Sequence, residues 1–154
     1  MSDWPDLAGR IEGDMHILPV RVYFEDTDFT GLVYHANFLK FCERGRYDFI
    51  RNLGIDHRSL ENPEKGDPTA FVVRRIEVDY LKPASIDEVL EVVTRCAEIG
   101  GAKLVLIQEV RRGGVALARL QVSVVLVSNA GKPQRRGRLV RDALDKFAYV
   151  PERT

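Results

Sequence analysis

The sequence predicts an α+β domain in which an antiparallel β-sheet is wrapped around one long central helix. Three observations predict it. A single apolar helical stretch, residues 37–53, stands among segments of alternating strand pattern. The strands after it are joined largely by tight glycine turns, Gly100-Gly101 and Gly113-Gly114, which impose antiparallel pairing. The apolar positions of the helix also cover more than a narrow stripe, so the helix needs cover from more than one side.

Residues 1–15 show no hydrophobic period and contain Pro5, Gly9 and Gly13. They read as a flexible N-terminal arm ahead of one domain spanning 16–150. Residues 16–25 alternate, with Val20, Val22 and Phe24 on one side and Arg21, Tyr23 and Glu25 on the other. This is a strand, and Pro19 marks it as an edge or a strand start. Residues 26–34 are rich in Asp, Thr and Gly, which is turn chemistry. The helix over 37–53 takes Asn37 as its N-cap and Gly54 as its stop. A polar loop holding Pro63 and Pro68 fills 57–69. Strands follow over 71–81, 88–99, 103–112 and 115–128. In the last, Ala116, Ala118, Leu120, Val122, Val124 and Leu126 share one face. Residues 138–147 read as a short closing helix.

A chain of 154 residues holds one full core and is too short for two comfortable domains. Lys plus Arg and Asp plus Glu both number 23, so the net charge is zero and nothing points to nucleic acid as a partner. No apolar run approaches the roughly 20 residues that span a bilayer. The acidic N-terminus lacks the hydrophobic segment of a signal peptide. A cytoplasmic protein without stable membrane insertion is expected. Cys42 and Cys96 sit in apolar surroundings without CxxC spacing, and are read as buried reduced thiols. There is no GxSxG, no phosphate-binding loop, no GxGxxG and no metal-type His/Cys cluster. A nucleophilic serine with a triad is therefore unsupported.

The first candidate for chemistry is the turn Glu25-Asp26-Thr27-Asp28-Phe29-Thr30-Gly31. Its ordinary reading is turn formation, since Asp and Thr bond their own backbone in such loops. Calcium is disfavoured because the spacing of liganding oxygens in the known calcium loop is absent. The sharper reading is a carboxylate presented to an acyl carbonyl. The turn runs straight into the helix, whose first amides are unpaired and lie at the positive end of its dipole. An oxyanion formed there would be stabilised, and a carboxylate upstream could attack or activate water. His35, at the helix entrance, could orient substrate or donate a proton to the leaving thiolate. Glu43 pairs ordinarily with Arg46 or Tyr47, and less ordinarily lines an acyl pocket. His16 and His57 are assigned no role.

The stretch Val20-Arg21-Val22-Tyr23-Phe24-Glu25-Asp26-Thr27-Asp28, then Gly31, Val33-Tyr34-His35 and Asn37-Phe38, resembles the signature of hot-dog-fold thioesterases. More narrowly it resembles the YbgC branch of the 4-hydroxybenzoyl-CoA thioesterase family. Val78-Asp79-Tyr80-Leu81-Lys82-Pro83-Ala84, followed by Asp87, resembles that family's first long strand after the helix. The likeness spans residues 16–127, and its DTDxxGxVYH pattern is specific.

The resemblance implies the hot-dog fold and hydrolysis of acyl-CoA to free acid and CoA without a cofactor. It places the catalytic carboxylate on Asp28 and the carbonyl-polarising amides at His35 and Ala36. A histidine at position 35 matches YbgC-like members and tilts the substrate toward aliphatic acyl-CoA. Tyr34, Ala36, Glu43 and Lys103 are the expected substrate-binding residues, with Lys82 and the cluster Arg135, Arg136, Arg138 and Arg141 as further cations for the CoA phosphates. A homodimer or homotetramer with sites at the subunit interface is implied. The alternative is a non-catalytic protein that binds acyl-CoA, an acyl carrier or an envelope-assembly partner. Hydratase chemistry is disfavoured by the thioesterase-type motif.

Overall fold

The computed structural model describes residues 8–55, 69–128, 130–133 and 144. Six strands and one long helix make up the fold: β1 (Arg10–Glu12), β2 (Met15–Arg21), α1 (His35–Asn52), β3 (Thr69–Tyr80), β4 (Val89–Ile99), β5 (Lys103–Arg112) and β6 (Val115–Ser128). They form one sheet in the order β1-β2-β4-β5-β6-β3, every neighbouring pair antiparallel. The helix packs against β1, β2, β4 and β5, which is the expected hot-dog arrangement.

Several sequence expectations shift. Residues 10–12, assigned to the arm, form β1 and pair with β2, so the domain begins before His16. The first predicted strand stops at Arg21; Phe24–Asp26 make a single 3-10 turn, because Asp26 folds back to accept from the Tyr23 amide. The helix starts at His35, two residues earlier than predicted, with Tyr34 as N-cap and no side-chain cap. Asn37 instead donates its side-chain amide to the Asp26 carbonyl, tying the helix to the acidic turn. Gly54 ends the helix at φ 84°, as its position predicts. In β6 a bulge opposite Val110 and Arg111 moves Ala116 off the core face and buries Leu117 in its place. Of the predicted closing helix only Leu144 is described; it has helical backbone and is buried.

The helix buries Phe38, Phe41, Cys42, Gly45, Asp48, Phe49 and Ile50, a stripe at helical spacing. Phe41 and Phe49 are fully buried, each contributing about 1.5–3 kcal/mol of burial free energy. Gly45 stands between two halves of the core, where a Cβ would lie 2.6 Å from the Val92 methyl. Only glycine lets the helix approach the sheet this closely. Next to it, buried Gln108 of β5 donates to the Cys42 carbonyl and to Thr94, and accepts from Arg46. The sequence expects the helix to be enclosed, yet Lys40, Glu43, Arg44, Tyr47 and Arg51 stay exposed on the face away from the sheet. Pro19 lies where β2 has lost β1 as a neighbour, so its missing N–H costs no sheet bond.

Candidate active site

The acidic turn is closed by its own backbone. Asp28 N–H donates to the Leu32 carbonyl, Gly31 N–H to the Asp28 carbonyl, and Thr27 bridges Val33. Gly31 has φ 80°, a left-handed position that favours glycine. The turn is anchored to the chain beyond β3, since Val33 donates to the Ala84 carbonyl and Leu32 bridges Ser85. Tyr34 donates to the Asp26 carbonyl, which fixes the angle at which α1 begins.

The three carboxylates separate by environment. Asp26 is buried, and its Oδ2 accepts from the Tyr23 amide, so it is a structural group. Glu25 is exposed. Asp28 is exposed, and its Oδ1 accepts from both the amide and the hydroxyl of Thr30. Those bonds, the hydroxyl's first, hold its carboxyl below the usual aspartate value, with a lesser contribution from the charge of His35. Its Oδ2 has no hydrogen-bond partner among the described residues and is free to face a substrate or water.

His35 opens the helix beside this turn. Its ring lies 4.5 Å from that of Tyr34 and 5.9 Å, edge-on, from that of Tyr80. Tyr80 also donates its hydroxyl to the His35 carbonyl at 3.0 Å. No side chain caps α1, so the first amides, His35 and Ala36, have no intrahelical acceptor. Asp28, Tyr34, His35 and Ala36 are thus brought together. Thr30 and Tyr80, which support this group, escape sequence reasoning. Thr30 is visible only as the third residue of an Asx-type turn, and Tyr80 only through the register of β3.

The other expected residues lie apart. Glu43 is exposed on α1, eight residues and about 12 Å along the axis from His35. Arg46 bonds Gln108 rather than Glu43. The site end of β5 is Arg112, which reaches the Pro83 carbonyl. Lys103 begins the same strand nine residues back, about 30 Å away. Lys82 is exposed just after β3, near the site. The arginine cluster at 135–141 lies outside the described residues, as does His57. Cys42 and Cys96 are buried free thiols, and burial pushes both up to about 12. They are not nucleophiles. No described helix is long and apolar enough to cross a membrane.

An antiparallel sheet around a central helix, with an acidic turn at the helix entrance, defines a thioesterase of the hot-dog class. The thioesterase-superfamily profile matches residues 30–118, beginning two residues after Asp28, and the chain belongs to this family. Among its relatives, the acyl-CoA thioesterase YbgC of Haemophilus influenzae is 38% identical over 109 residues, covering 71% of this chain and 78% of that protein. The acyl-CoA thioester hydrolase YbgC of Escherichia coli is 39% identical over 110 residues, covering 71% and 79%. A probable thioesterase from Bartonella henselae superposes with a TM-score of 0.77 at 38% identity, over 80% of this chain and 99% of that one.

Proposed function

We propose that this protein hydrolyses acyl-CoA thioesters to the free acid and CoA, with Asp28 as nucleophile or general base. The observation that carries the assignment is the unpartnered Oδ2 of Asp28, held by Thr30 at the entrance of an uncapped helix. The YbgC relatives, named for acyl-CoA hydrolysis, support the substrate class.

In the general-base form, Oδ2 takes a proton from water while the water oxygen bonds to the thioester carbon. The carbonyl oxygen becomes an oxyanion facing the His35 and Ala36 amides. Collapse breaks the C–S bond, and the thiolate leaves with a proton delivered by the His35 ring or the protonated Asp28. In the nucleophilic form Oδ2 itself bonds to the carbon, the C–S bond breaks and the thiolate leaves with a proton, and water then opens the mixed anhydride to the free acid and the regenerated Asp28 carboxylate. Tyr34 flanks the reacting group, and the exposed face bearing Glu43 borders the path of the substrate.

The proposal includes a homodimer, paired further into a tetramer. β3 pairs with β6 on one side only, and its open edge carries exposed Val72, Val73 and Tyr80. Around the acidic turn Tyr23, Phe24, Phe29 and Tyr34 are exposed too, an apolar patch that a second subunit would cover. In such an assembly, Lys103 would serve CoA only from a neighbouring subunit. The two buried free thiols fit a reducing compartment and support a cytoplasmic location.

The test is Asp28→Asn assayed against short, long and aromatic acyl-CoAs. Hydrolysis falls by about 10² or more while melting temperature and oligomer mass stay unchanged. A loss of only a few-fold would remove Asp28 from the mechanism. A wild-type protein that binds acyl-CoA but turns over no member of the panel would favour a binding role instead.

A further inference from the structure

We propose that Tyr80 of β3 is a positioning residue that strengthens the Ala36 amide as an oxyanion donor, through a hydrogen bond to the other end of the same peptide. This rests on the thioester hydrolysis proposed above. The His35 carbonyl and the Ala36 N–H belong to one peptide unit, and amide resonance links its two ends. The Tyr80 hydroxyl donates to that carbonyl at 3.0 Å. A donor on the oxygen draws electron density from the nitrogen and makes the N–H a stronger donor in turn. A carbonyl oxygen has two lone pairs, so it can accept from Tyr80 and still serve the helix ladder. The Ala36 amide has no intrahelical acceptor, so the gain is kept for a ligand.

The neighbouring amide is backed in a different way. The His35 N–H shares its peptide with the Tyr34 carbonyl, which accepts from the Asn37 amide at 2.8 Å. That support is local, backbone to backbone. The Ala36 peptide is instead backed by a side chain 45 residues from His35 in sequence. The Tyr80 ring is fixed by its neighbours: it lies 5.9 Å from the His35 ring, edge-on, and 5.9 Å from the ring of buried Phe38. The end of β3 is pinned as well, since the Leu81 and Lys82 amides both donate to the Leu117 carbonyl. Just beyond, Ala84 accepts from Val33 and Ser85 bridges Leu32, both in the acidic turn. Residues 80–85 therefore set the helix entrance and the turn bearing Asp28 together, which is the relation a reacting thioester needs.

The size of the effect follows from two magnitudes. One oxyanion donor contributes about 10²–10³ in kcat, and a second hydrogen bond strengthens the first by about 10–30%. The Tyr80 hydroxyl then contributes about two- to eightfold in kcat, well below the loss expected at Asp28. Tyr80 is 44% exposed, so water reaches the same carbonyl when the hydroxyl is removed, and the lower figure is favoured. Partial burial, with Cys42 and Tyr34 nearby, raises the phenol above its ordinary 10, so it stays protonated and donating throughout the neutral range.

Tyr80→Phe keeps the ring and removes the donor. On an acyl-CoA that wild type hydrolyses, kcat falls about two- to eightfold while KM stays within about twofold, because the oxyanion exists only beyond the ground state. Melting temperature and oligomer mass do not change. A ring-fluorinated tyrosine at position 80 has a more acidic phenol, hence a stronger donor, and raises kcat above wild type; a phenol that only packs would give no such order. The nitrogen chemical shift of the Ala36 amide moves in Tyr80→Phe, which reads the peptide without turnover. The inference is overturned by an unchanged kcat in Tyr80→Phe, by a loss confined to KM, by a fluorinated variant no faster than wild type, or by an unmoved Ala36 shift. Asp28→Asn reports separately on the carboxylate: if that variant stays active, Asp28 leaves the mechanism and the Tyr80 result stands. A wild type without turnover fails the hydrolase reading itself, whereas a moved Ala36 shift with unchanged kcat fails this inference alone.

Discussion

His16 of β2 and Asp48 of α1 meet at 2.7 Å inside the protein, the imidazole fully buried and the carboxylate nearly so. Asp48 collects three further donors: the Gly9 amide, Arg51 and Asn52. Burial pushes its carboxyl up, and the bonds from Arg51, His16 and Gly9 outweigh that and hold it below the usual aspartate value. His16 Nδ1 has no hydrogen-bond partner among the described residues. The ring is therefore neutral with its proton on Nε2, because a second proton would place an unmatched N–H in the core.

Acid destabilises the fold through this pair, first through its histidine. Burial lowers the His16 value below the ordinary 6.5, more than the Asp48 contacts raise it. Above 6.5 the folded and unfolded chains are both neutral here. As pH falls through 6.5 the unfolded chain takes a proton that the folded chain refuses, so stability drops until the folded value is passed. Asp48, with its folded value lowered, adds a second loss at more acid pH. Urea melts from pH 8 to pH 5 show a falling midpoint in wild type and a flatter one in His16→Gln.

Asp48→Ala leaves the buried His16 ring and the half-buried Gly9 amide without their acceptor, while Arg51 and Asn52 are exposed to water. A destabilisation of about 1–3 kcal/mol is expected, read from denaturant midpoints at pH 7.5. A cost near that of an average surface change would mean that water replaces the carboxylate.

Thr30→Val removes the hydroxyl donor to Asp28 and keeps the amide. The Asp28 carboxyl then rises toward its ordinary value, so the acid limb of the kcat/KM profile moves to higher pH. Thr30→Ser leaves the limb in place. A limb that does not respond to Thr30→Val belongs to some group other than Asp28.

Gly45→Ala forces a methyl within 2.6 Å of Val92 and close to Gln108. The helix must lift from the sheet, costing about 1–3 kcal/mol by overpacking, against the small gain that alanine brings to an exposed helix position. Thermal melts of the variant decide the sign.

Cys42 and Cys96, both buried with thiols pushed up to about 12, stay unmodified by iodoacetamide at pH 8. Activity survives the treatment, and both residues alkylate once the chain is unfolded. Rapid labelling of the native protein would show that the core opens near one of them.

The helix, the four later strands and the acidic turn were legible in the sequence because each carries its own period or turn chemistry. Hydrophobic spacing and glycine position act over a few residues, so they can be read locally. The choice of Asp28 among three neighbouring carboxylates came from motif resemblance. In the structure Asp26 is spent on the Tyr23 amide, and Asp28 is exposed with its Oδ1 bonded to Thr30.

Other features depended on pairings between distant residues, which no local period encodes. β1 exists only because β2 offers it an edge, and the bulge in β6 replaces Ala116 with Leu117 by a shift in register. His16 is a lone histidine in sequence, and becomes a buried partner only when α1 brings Asp48 beneath β2. The sequence by itself determined the elements and the acidic turn, through short-range sterics and hydrophobic period. Only the tertiary structure decided which polar groups are spent on one another and which are left for a ligand, because burial and hydrogen bonding are set by long-range contact.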